Sequence, residues 1–424
     1  MTHLLEELAQ DRRENKPRGI YAVCSAHPLV LEAAVDQALE DGSQLLIEAT
    51  SNQVNHRGGY TGMQPAEFRG LVVEIAARRG LSGSRLLLGG DHLGPNPWQK
   101  LPAEEAMCEA ELMVEAYVRA GFQKIHLDAS MACGGEPTPL PEETIARRAA
   151  RLCAAAERAS SDRKPVYVIG TEVPVPGGAT ESLQELQVTS REAAATTLAM
   201  HRQIFAESGL GAVWPRVIAL VVQPGVEFNH DSVIDYIPAR AVHLTRLLEE
   251  EPGIVYEAHS TDYQRDEAFQ ALVRDGFAIL KVGPALTFAL HEALSALAEI
   301  ELELYGPAQA SHLMSVLERA MIGDRRYWES HYSGNELSAA LMRRYSYSDR
   351  IRYYWNDPQV KAAVEKLLHN LAQRPIPETM LSAFLHEQYL AVRAEAHAIV
   401  LHRIRNVLRP YAEACGMQQM AAAV

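Results

Sequence analysis

Eight short apolar runs recur along this chain, and each is followed by polar residues, a turn signal and an amphipathic helical stretch. The runs occupy residues 19–26, 45–52, 86–94, 124–131, 166–173, 217–225, 254–262 and 278–284. Continuous apolar stretches of this length are typical of strands buried on both faces, and strands that alternate with helices form parallel sheets. Eight such units predict one closed (β/α)8 barrel, the TIM barrel.

From about residue 305 onward the pattern changes to helical periodicity without strands, and its last long stretch covers residues 379–408. The 424 residues of the chain leave room for a barrel of about 250 to 300 residues and a further module. We therefore predict a barrel over residues 1–305 and a C-terminal helical extension over residues 306–424.

Polar side chains end the apolar runs, and in (β/α)8 barrels the working residues lie at the carboxyl ends of the strands. These side chains are therefore expected to converge on one rim. They are Glu48, Asp91, His92, Asp128, Glu172, Gln223, Glu257, His259 and Lys281.

The third run ends in two glycines followed by Asp91 and His92, which places an acid beside a potential metal ligand. Neutral imidazole is a good ligand for zinc, and the neighbouring carboxylate can exchange a proton with a substrate oxygen. The glycines allow a close approach of backbone or ligand. A turn-capping aspartate beside a surface histidine is the alternative interpretation of an isolated pair.

The seventh run carries Glu257 and His259 two residues apart, so that both lie on one face of the strand. A buried carboxylate and a buried imidazole must each find a partner. The fourth run repeats the device with His126 and Asp128, and the fifth ends in Glu172. An internal salt bridge explains any single pair, and we interpret the deeper His126 as a satisfied core histidine. Taken together, the four strands favour a metal site.

The eighth run leads through a glycine turn directly into helical sequence, which presents backbone N–H groups and the positive end of a helix to an anion. Barrels of this class frequently bind phosphate after strands seven and eight. We predict a phosphate site there, with an ordinary turn as the alternative. Its donors are Ser260, Thr261, Gly283 and Thr287, with Lys281 adding charge.

Residues 343–355, RRYSYSDRIRYYW, place aromatic side chains between arginines in the extension. Both residue types are enriched at protein interfaces, so a subunit contact in a homo-oligomer is one interpretation. An amphipathic segment that docks on the barrel is the second. In the third, Arg350 or Arg352 reaches a substrate phosphate.

The net charge of −14 argues against nucleic acid or an anionic membrane as a partner. Five cysteines without a CxxC pair favour a reducing, cytoplasmic setting. The first residues are acidic and polar where a signal peptide needs a basic start and an apolar stretch, and no run approaches membrane-spanning length. We therefore expect a soluble cytoplasmic protein.

Ten stretches of the sequence resemble those of the D-tagatose-1,6-bisphosphate aldolase Z-subunit family of galactitol and N-acetylgalactosamine catabolism, and together they span nearly the whole chain. That family is similar to the class II ketose-bisphosphate aldolases, (β/α)8 barrels that hold zinc with three histidines. The stretches are CSAHPLV, IEATSNQVN, GGYTGM, GGDHLGPN, KIHLDAS, IGTEVPVPGG, VVQPGVEF, YEAHSTDYQ, AILKVGPALTFAL and SDRIRYYW.

The resemblance implies roles for individual residues. In class II aldolases an Asp-His pair after strand three supplies the acid and the first metal ligand, which correspond here to Asp91 and His92. A histidine that opens a later phosphate loop corresponds to His259, followed by Ser260 and Thr261. The Lys-Val-Asn-x-x-Thr phosphate loop of the last strand resembles the run from Lys281 to Thr287, which is one residue longer and has Gly283 in place of asparagine.

The third metal ligand departs from that pattern. Class II aldolases have Ile-Gly-Thr-Ala-His where this chain reads Ile-Gly-Thr-Glu-Val, so Glu172 is the nearest substitute and gives a two-histidine, one-carboxylate set. We expect Asp91 and Glu172 to be catalytic and a divalent metal, by preference zinc, to be bound. Glu48, Asp128 and Glu257 are expected to orient the ligands or to bind substrate hydroxyls.

The implied chemistry is cleavage of the C3–C4 bond of a ketohexose phosphate. Release of the aldehyde would make the chain a tagatose-1,6-bisphosphate aldolase, and re-addition through its other face a fructose/tagatose 6-phosphate 4-epimerase. A non-catalytic chain that stabilises a catalytic Y subunit is the third alternative. A glycoside hydrolase with Glu172 and Glu257 as its carboxylate pair is the fourth. It predicts aromatic sugar platforms, whereas Trp98 is the one tryptophan that closely follows a predicted strand.

Overall fold

The computed structural model describes residues 4–161, 163–170, 186–391 and 395–417. Within these ranges the strands are Ile20–Val23 (β1), Leu45–Thr50 (β2), Leu86–Leu93 (β3), Lys124–Leu127 (β4), Val166–Ile169 (β5), Val217–Val222 (β6), Glu227–Phe228 (β7), Val233–Ile234 (β8), Val255–Ala258 (β9) and Phe277–Val282 (β10).

The α-helices of the same ranges divide into a barrel set and an extension set. The barrel set is Leu4–Arg13 (α1), Pro28–Asp41 (α2), Pro65–Arg79 (α3), Ala103–Arg119 (α4), Glu142–Ala159 (α5), Arg191–Glu207 (α6), Pro238–Glu250 (α7), Asp266–Arg274 (α8) and Pro284–Tyr305 (α9). The extension set is Leu313–Gly323 (α10), Glu336–Tyr345 (α11), Pro358–Ala372 (α12), Glu378–Phe384 (α13), His386–Ala391 (α14) and Ala396–Ala414 (α15). No helix described here combines the length and the apolar character needed to cross a bilayer.

Eight parallel strands close into a barrel in the order β1-β2-β3-β4-β5-β6-β9-β10, and β10 pairs again with β1. Each strand comes from one of the eight predicted runs, so the predicted TIM barrel is confirmed. The short antiparallel pair β7 and β8 forms a separate hairpin after β6. Several strands end before the polar residues that follow them, since β4 stops at Leu127 and β9 at Ala258. The polar residues therefore begin the loops of the carboxyl rim.

Local sequence signals start and stop the barrel helices. In α2 the imidazole of His27 accepts a hydrogen bond from the Leu29 backbone N–H, and Pro28 occupies the first turn. Gly42 ends the helix in the left-handed conformation that glycine adopts without strain. This helix start brings His27 to the carboxyl rim beside the end of β1.

The predicted C-terminal helices are confirmed, and the stretch at residues 379–408 contains α13, α14 and most of α15. The last of them, α15, packs against α2, α8 and α9 of the barrel. Its Tyr411 stacks on Phe269 with 4.0 Å between ring centroids, and its hydroxyl donates to the backbone oxygen of Thr261. One continuous hydrophobic core joins the barrel and the extension. The division into two domains after residue 305 stays a prediction.

Two glycines of the third strand region allow close contacts that any side chain would prevent. A Cβ atom at Gly94 would overlap the backbone oxygen of Asp128, and one at Gly89 would lie 2.5 Å from the carboxylate of Glu48. These glycines let neighbouring strands bring their acidic residues against β3.

We expect Gly94→Ala to lower the free energy of unfolding by about 1–3 kcal/mol or more, because the new methyl group must displace backbone at Asp128. Gly253→Ala is the matched control, since a Cβ atom there meets open space. Thermal unfolding of both variants checks this. Equal unfolding midpoints for the two variants would show that the backbone at Asp128 shifts without any loss of stability.

Candidate active site

A pocket opens at the carboxyl rim of the barrel, between the ends of β1, β2, β3, β9 and β10 and one segment of the extension. The predicted site residues that line it are Asp91, His92, His259, Ser260, Lys281, Gly283 and Thr287. Three further predicted residues, Glu48, Asp128 and Glu257, contact these lining residues from behind. The structure therefore gathers most of the residues that the sequence pattern placed on one rim.

His92 is held by a carboxylate on the neighbouring strand. Its Nδ1 atom lies 2.8 Å from Oδ2 of Asp128, and its Nε2 atom lies 3.6 Å from Oδ2 of Asp91. The backbone of His92 has φ 48°, an uncommon value for a residue other than glycine, where the β3–β4 pairing shifts register. The bonded Nδ1 atom fixes the ring, and Nε2 faces the acid that precedes it.

His259 is held in the same manner by Glu257. The two residues share one face of the strand end, and Nε2 of His259 lies 2.8 Å from Oε1 of Glu257. Burial lowers the pKa of His259 to about 3, so the imidazole is neutral at physiological pH. Neutral imidazole is the form that ligates a metal, and a hydrogen-bonded carboxylate is its usual orienting partner.

Three imidazoles and one carboxylate meet at the centre of the site. Ring centroids lie 4.8 Å apart for His92 and His259, and 5.0 Å apart for His92 and His126. One ligand atom from each of these histidines and from Asp91 lies within 4.8 Å of all the others. This set is compact enough to surround a single metal ion.

His126 has partners on both ring nitrogens. Its Nδ1 atom lies 3.0 Å from Oδ1 of Asp91 and 3.2 Å from the backbone N–H of His92, and its Nε2 atom lies 2.9 Å from the Gly170 oxygen. These contacts are those of a histidine that positions Asp91. They agree with the interpretation of His126 as a satisfied core residue, and its ring also borders the cluster of Asp91, His92 and His259.

A closed network of buried ion pairs lies beneath the imidazoles. Lys124 places its ammonium group 2.7 Å from Glu48 and 2.6 Å from Glu257. Lys281 contacts Glu48, lies 2.7 Å from Asp91 and lies 3.7 Å from Glu257. Burial alone would lower the pKa of Lys281, but the carboxylates around it, Asp91 foremost, hold that pKa well above its usual value. Both lysines are therefore cations.

The same network keeps the acids ionised. Burial tends to raise the pKa of Asp91, but His92, Lys281 and His126 outweigh it and hold that pKa well below its usual value. Burial likewise tends to raise the pKa of Glu257, but the positive charges of Lys124 and, next in size of effect, Lys281 hold that pKa well below its usual value. Anionic acceptors are therefore fixed at the floor of the pocket.

The donor set of the site fits a divalent cation. Four carboxyl groups meet there, those of Glu48, Asp91, Asp128 and Glu257. The described residues around them supply two ammonium groups and three imidazoles. Imidazole nitrogens and carboxylate oxygens are both ligands of zinc in proteins. The donor set thus suits a metal ion on chemistry as well as on distance.

The predicted phosphate donors are only partly available. Gly283 and Ala285 donate their backbone N–H groups to Oδ1 of Asp262, at 3.0 and 2.8 Å. Thr261 is fully buried and donates its hydroxyl to the Lys281 backbone oxygen at 2.6 Å. Ser260 and Thr287 line the pocket. The phosphate-binding role of these residues and of Lys281 stays a prediction.

Two other predicted rim residues remain, Glu172 and Gln223. Glu172, the predicted third ligand and catalytic acid, falls outside the described residues. Gln223 uses its side-chain oxygen to accept hydrogen bonds from the backbone N–H groups of Gly225 and Val226, at 2.8 and 2.9 Å, and so stabilises the turn after β6.

The arginine- and tyrosine-rich segment of the extension docks on the barrel. Trp355 packs edge-on against His27 with 5.8 Å between ring centroids, and Tyr353 packs against Tyr60 at 4.8 Å. Arg352, Tyr353 and Trp355 line the pocket. Arg343 instead pairs with Glu318 and Glu336 away from the pocket.

Sequence analysis missed two residues that shape the site. Lys124 is fully buried in the ion network, and its period-two spacing from His126 was the available signal. Asp262 caps the amino end of α9 by accepting hydrogen bonds from the backbone N–H groups of Ala285 and Gly283. Burial raises the pKa of its carboxyl group to about 6, although these hydrogen bonds act in the opposite direction. No local pattern identifies that cap, because Asp262 precedes α9 by more than twenty residues.

The fold and the pocket define a (β/α)8 barrel with a buried acid–imidazole centre at its carboxyl rim. Residues 5–416 match the model of the D-tagatose-1,6-bisphosphate aldolase subunit GatZ/KbaZ-like family. The chain therefore belongs to this family, as its sequence motifs predicted.

Solved structures show similarity over most of the chain. One from Sinorhizobium meliloti 1021, named a probable tagatose 6 phosphate kinase, is 50% identical, with a TM-score of 0.88, over 94% of this chain and 100% of that chain. The fructose-bisphosphate aldolase of Campylobacter jejuni is 13% identical, with a TM-score of 0.46, over 87% of this chain and 92% of that chain. The YdjI aldolase of Escherichia coli K12 is 11% identical, with a TM-score of 0.40, over 87% of this chain and 96% of that chain.

We expect Lys124→Met to lower the free energy of unfolding by about 3–5 kcal/mol, because it removes one of the two buried cations that Glu48 and Glu257 share. Arg147→Met removes an exposed pair with Glu143 and is expected to cost less than about 1 kcal/mol. Denaturant unfolding of the two variants checks the contrast. A loss for Lys124→Met as small as that of the control would contradict it.

We expect Asp128→Asn to weaken binding of one Zn²⁺ ion by about 10- to 100-fold, because His92 loses the carboxylate that orients its ring. Competition with a chelator measures the affinity. Asp231→Asn, at an exposed position, is the control and is expected to bind zinc like the wild type. Unchanged affinity in Asp128→Asn, or a wild type that retains no metal, would rule out this assignment.

Proposed function

We propose that this chain is a cytoplasmic, metal-dependent Z-type subunit of tagatose-1,6-bisphosphate aldolase that itself catalyses retro-aldol cleavage of ketohexose phosphates. The observation that carries the proposal is the pair of imidazoles, His92 and His259, each backed by a carboxylate at 2.8 Å and both beside Asp91. A chain that only stabilised a partner would have no need of two ionised acids, Asp91 and Glu257, held by a buried network at the floor of a pocket.

His92, His259 and Glu172 are the residues that we assign to the metal, for which zinc is the preferred ion. When bound, the metal supplies the electron withdrawal that makes the C3–C4 bond of a ketose labile. The compact donor set and the neutral state of His259 support this assignment.

Asp91 is the residue that we assign to proton transfer. Its Oδ1 atom is occupied by Lys281 at 2.7 Å and by His126 at 3.0 Å, whereas its Oδ2 atom faces His92. The C4 hydroxyl proton passes to Oδ2, the C4–O bond becomes a carbonyl, and the electrons of the C3–C4 bond remain on the ketose fragment as an enediolate. Lys281 and His126 keep the acceptor ionised and oriented until that step.

The fate of the aldehyde fragment decides the name of the reaction. Departure of the aldehyde and protonation of the enediolate at C3 complete an aldolase cycle. Rotation of the aldehyde and re-addition through its other face give a 4-epimerase, which retains the hydrogen on C4. The alternative to both is a chain without activity of its own that supports a catalytic Y subunit.

We expect the purified chain with Zn²⁺ or Mn²⁺ to convert the 6-phosphate or the 1,6-bisphosphate of fructose or tagatose. The products are followed by NMR in D₂O. Solvent deuterium at C3 of released dihydroxyacetone or its phosphate identifies the aldolase. Epimers without deuterium at C4 identify the 4-epimerase by retro-aldol chemistry.

Asp91→Asn is expected to lower turnover by about 100-fold or more, because it removes the proton acceptor. Asp231→Asn, an exposed carboxylate, is the matched control and is expected to retain full activity. Silence of the metal-loaded wild type on every substrate would overturn intrinsic catalysis and favour the supporting-subunit alternative.

A further inference from the structure

The pocket has one arginine among its described lining residues, and it comes from the extension. Arg352 lies in the turn between α11 and α12, and it shares the pocket wall with Gly283 and Thr287 from the start of α9. The other non-histidine cation of this lining, Lys281, is surrounded by three carboxylates. No carboxylate within the described ranges forms an ion pair with Arg352, so its charge is available to a ligand.

The amino end of α9, the site predicted for phosphate, is already occupied within the chain. Asp262 accepts hydrogen bonds there from Gly283 and Ala285, and its carboxyl group is buried. A phosphate dianion cannot share these two N–H groups with a carboxylate. The anionic end of a substrate must therefore find its cation elsewhere on the pocket wall.

The guanidinium of Arg352 is fixed in place before any ligand binds. Its Nη1 atom donates to the backbone oxygens of Ser348 and Asp349, and its Nη2 atom donates to the Tyr353 hydroxyl at 3.2 Å. The guanidinium carbon also lies 4.7 Å from the centre of the Tyr353 ring. Three of its five N–H groups are thus used, and those that remain, on Nε and Nη2, form the side edge that binds two oxygens of one phosphate.

We propose that Arg352 binds the terminal phosphomonoester of the substrate, so that the extension supplies the specificity-determining cation of the barrel's active site. The assignment rests on the proposed function for its substrate class. It replaces the amino end of α9 as the phosphate anchor and gives residues 343–355 a direct role in the site. Thr287 lies on the same wall, where its hydroxyl donates to the Pro284 backbone oxygen at 3.2 Å.

Titration with inorganic phosphate, followed by ³¹P NMR, tests the proposal without catalysis. We expect the wild type and the exposed-position control Arg344→Gln to bind phosphate in the same range. Arg352→Gln should bind it about 10- to 100-fold more weakly, and Arg352→Lys, which keeps the charge but not the fork, should fall between them. Equal binding in all four proteins, or no binding to the wild type at millimolar phosphate, would overturn the proposal.

Kinetics separates phosphate recognition from a merely structural role. For a ketohexose 6-phosphate, Arg352→Gln is expected to raise KM by about 10- to 100-fold while kcat stays near the wild-type value. For the unphosphorylated ketohexose, both parameters should be unchanged. Parallel losses on both sugars would show that Arg352 only supports the fold. If the wild type converts no sugar at all, the proposed function fails, and the phosphate titration still decides the role of Arg352.

Discussion

The mutual neutralisation of buried acids and lysines at the barrel mouth is the constraint on which the site depends. Strands β2, β3, β4, β9 and β10 each contribute one charged group to it, and these strands meet only because the barrel closes in one register. Ala22 pairs with Lys281 at the closing seam, and a slip by one residue there would turn the lysine out of the barrel. Fold and electrostatics thus specify each other, since the network cannot form in any other alignment.

This arrangement separates the tasks of the pocket. The network below fixes the ionisation of Asp91, the carboxylates behind His92 and His259 fix their ring orientation, and the extension contributes the outer wall. The carboxylates behind His92 and His259 do not themselves line the pocket. Such support preorganises a site, because little reorganisation is left to occur when a substrate arrives.

The sequence was sufficient for features that follow from local periodicity. Eight apolar runs predicted eight barrel strands, and the two-residue spacing of Glu257 and His259 predicted their shared face. It was insufficient where partners meet only through closure of the fold. Lys124 finds its acids on two strands that are not its sequence neighbours, and Asp262 reaches the start of α9 across β10. The sequence offered Arg350 or Arg352 at a substrate phosphate as one of three interpretations, and the fold brings Arg352 into the pocket from about seventy residues beyond the last barrel strand.

The contact between Tyr411 and Thr261 ties the loop after His259 to α15, one of the last elements of the chain. A second tie joins the Gly19 backbone N–H, just before β1, to the Cys415 backbone oxygen. During synthesis all eight barrel strands are translated before Tyr411 and Cys415. The loop that carries His259 therefore gains this support only after α15 has been translated.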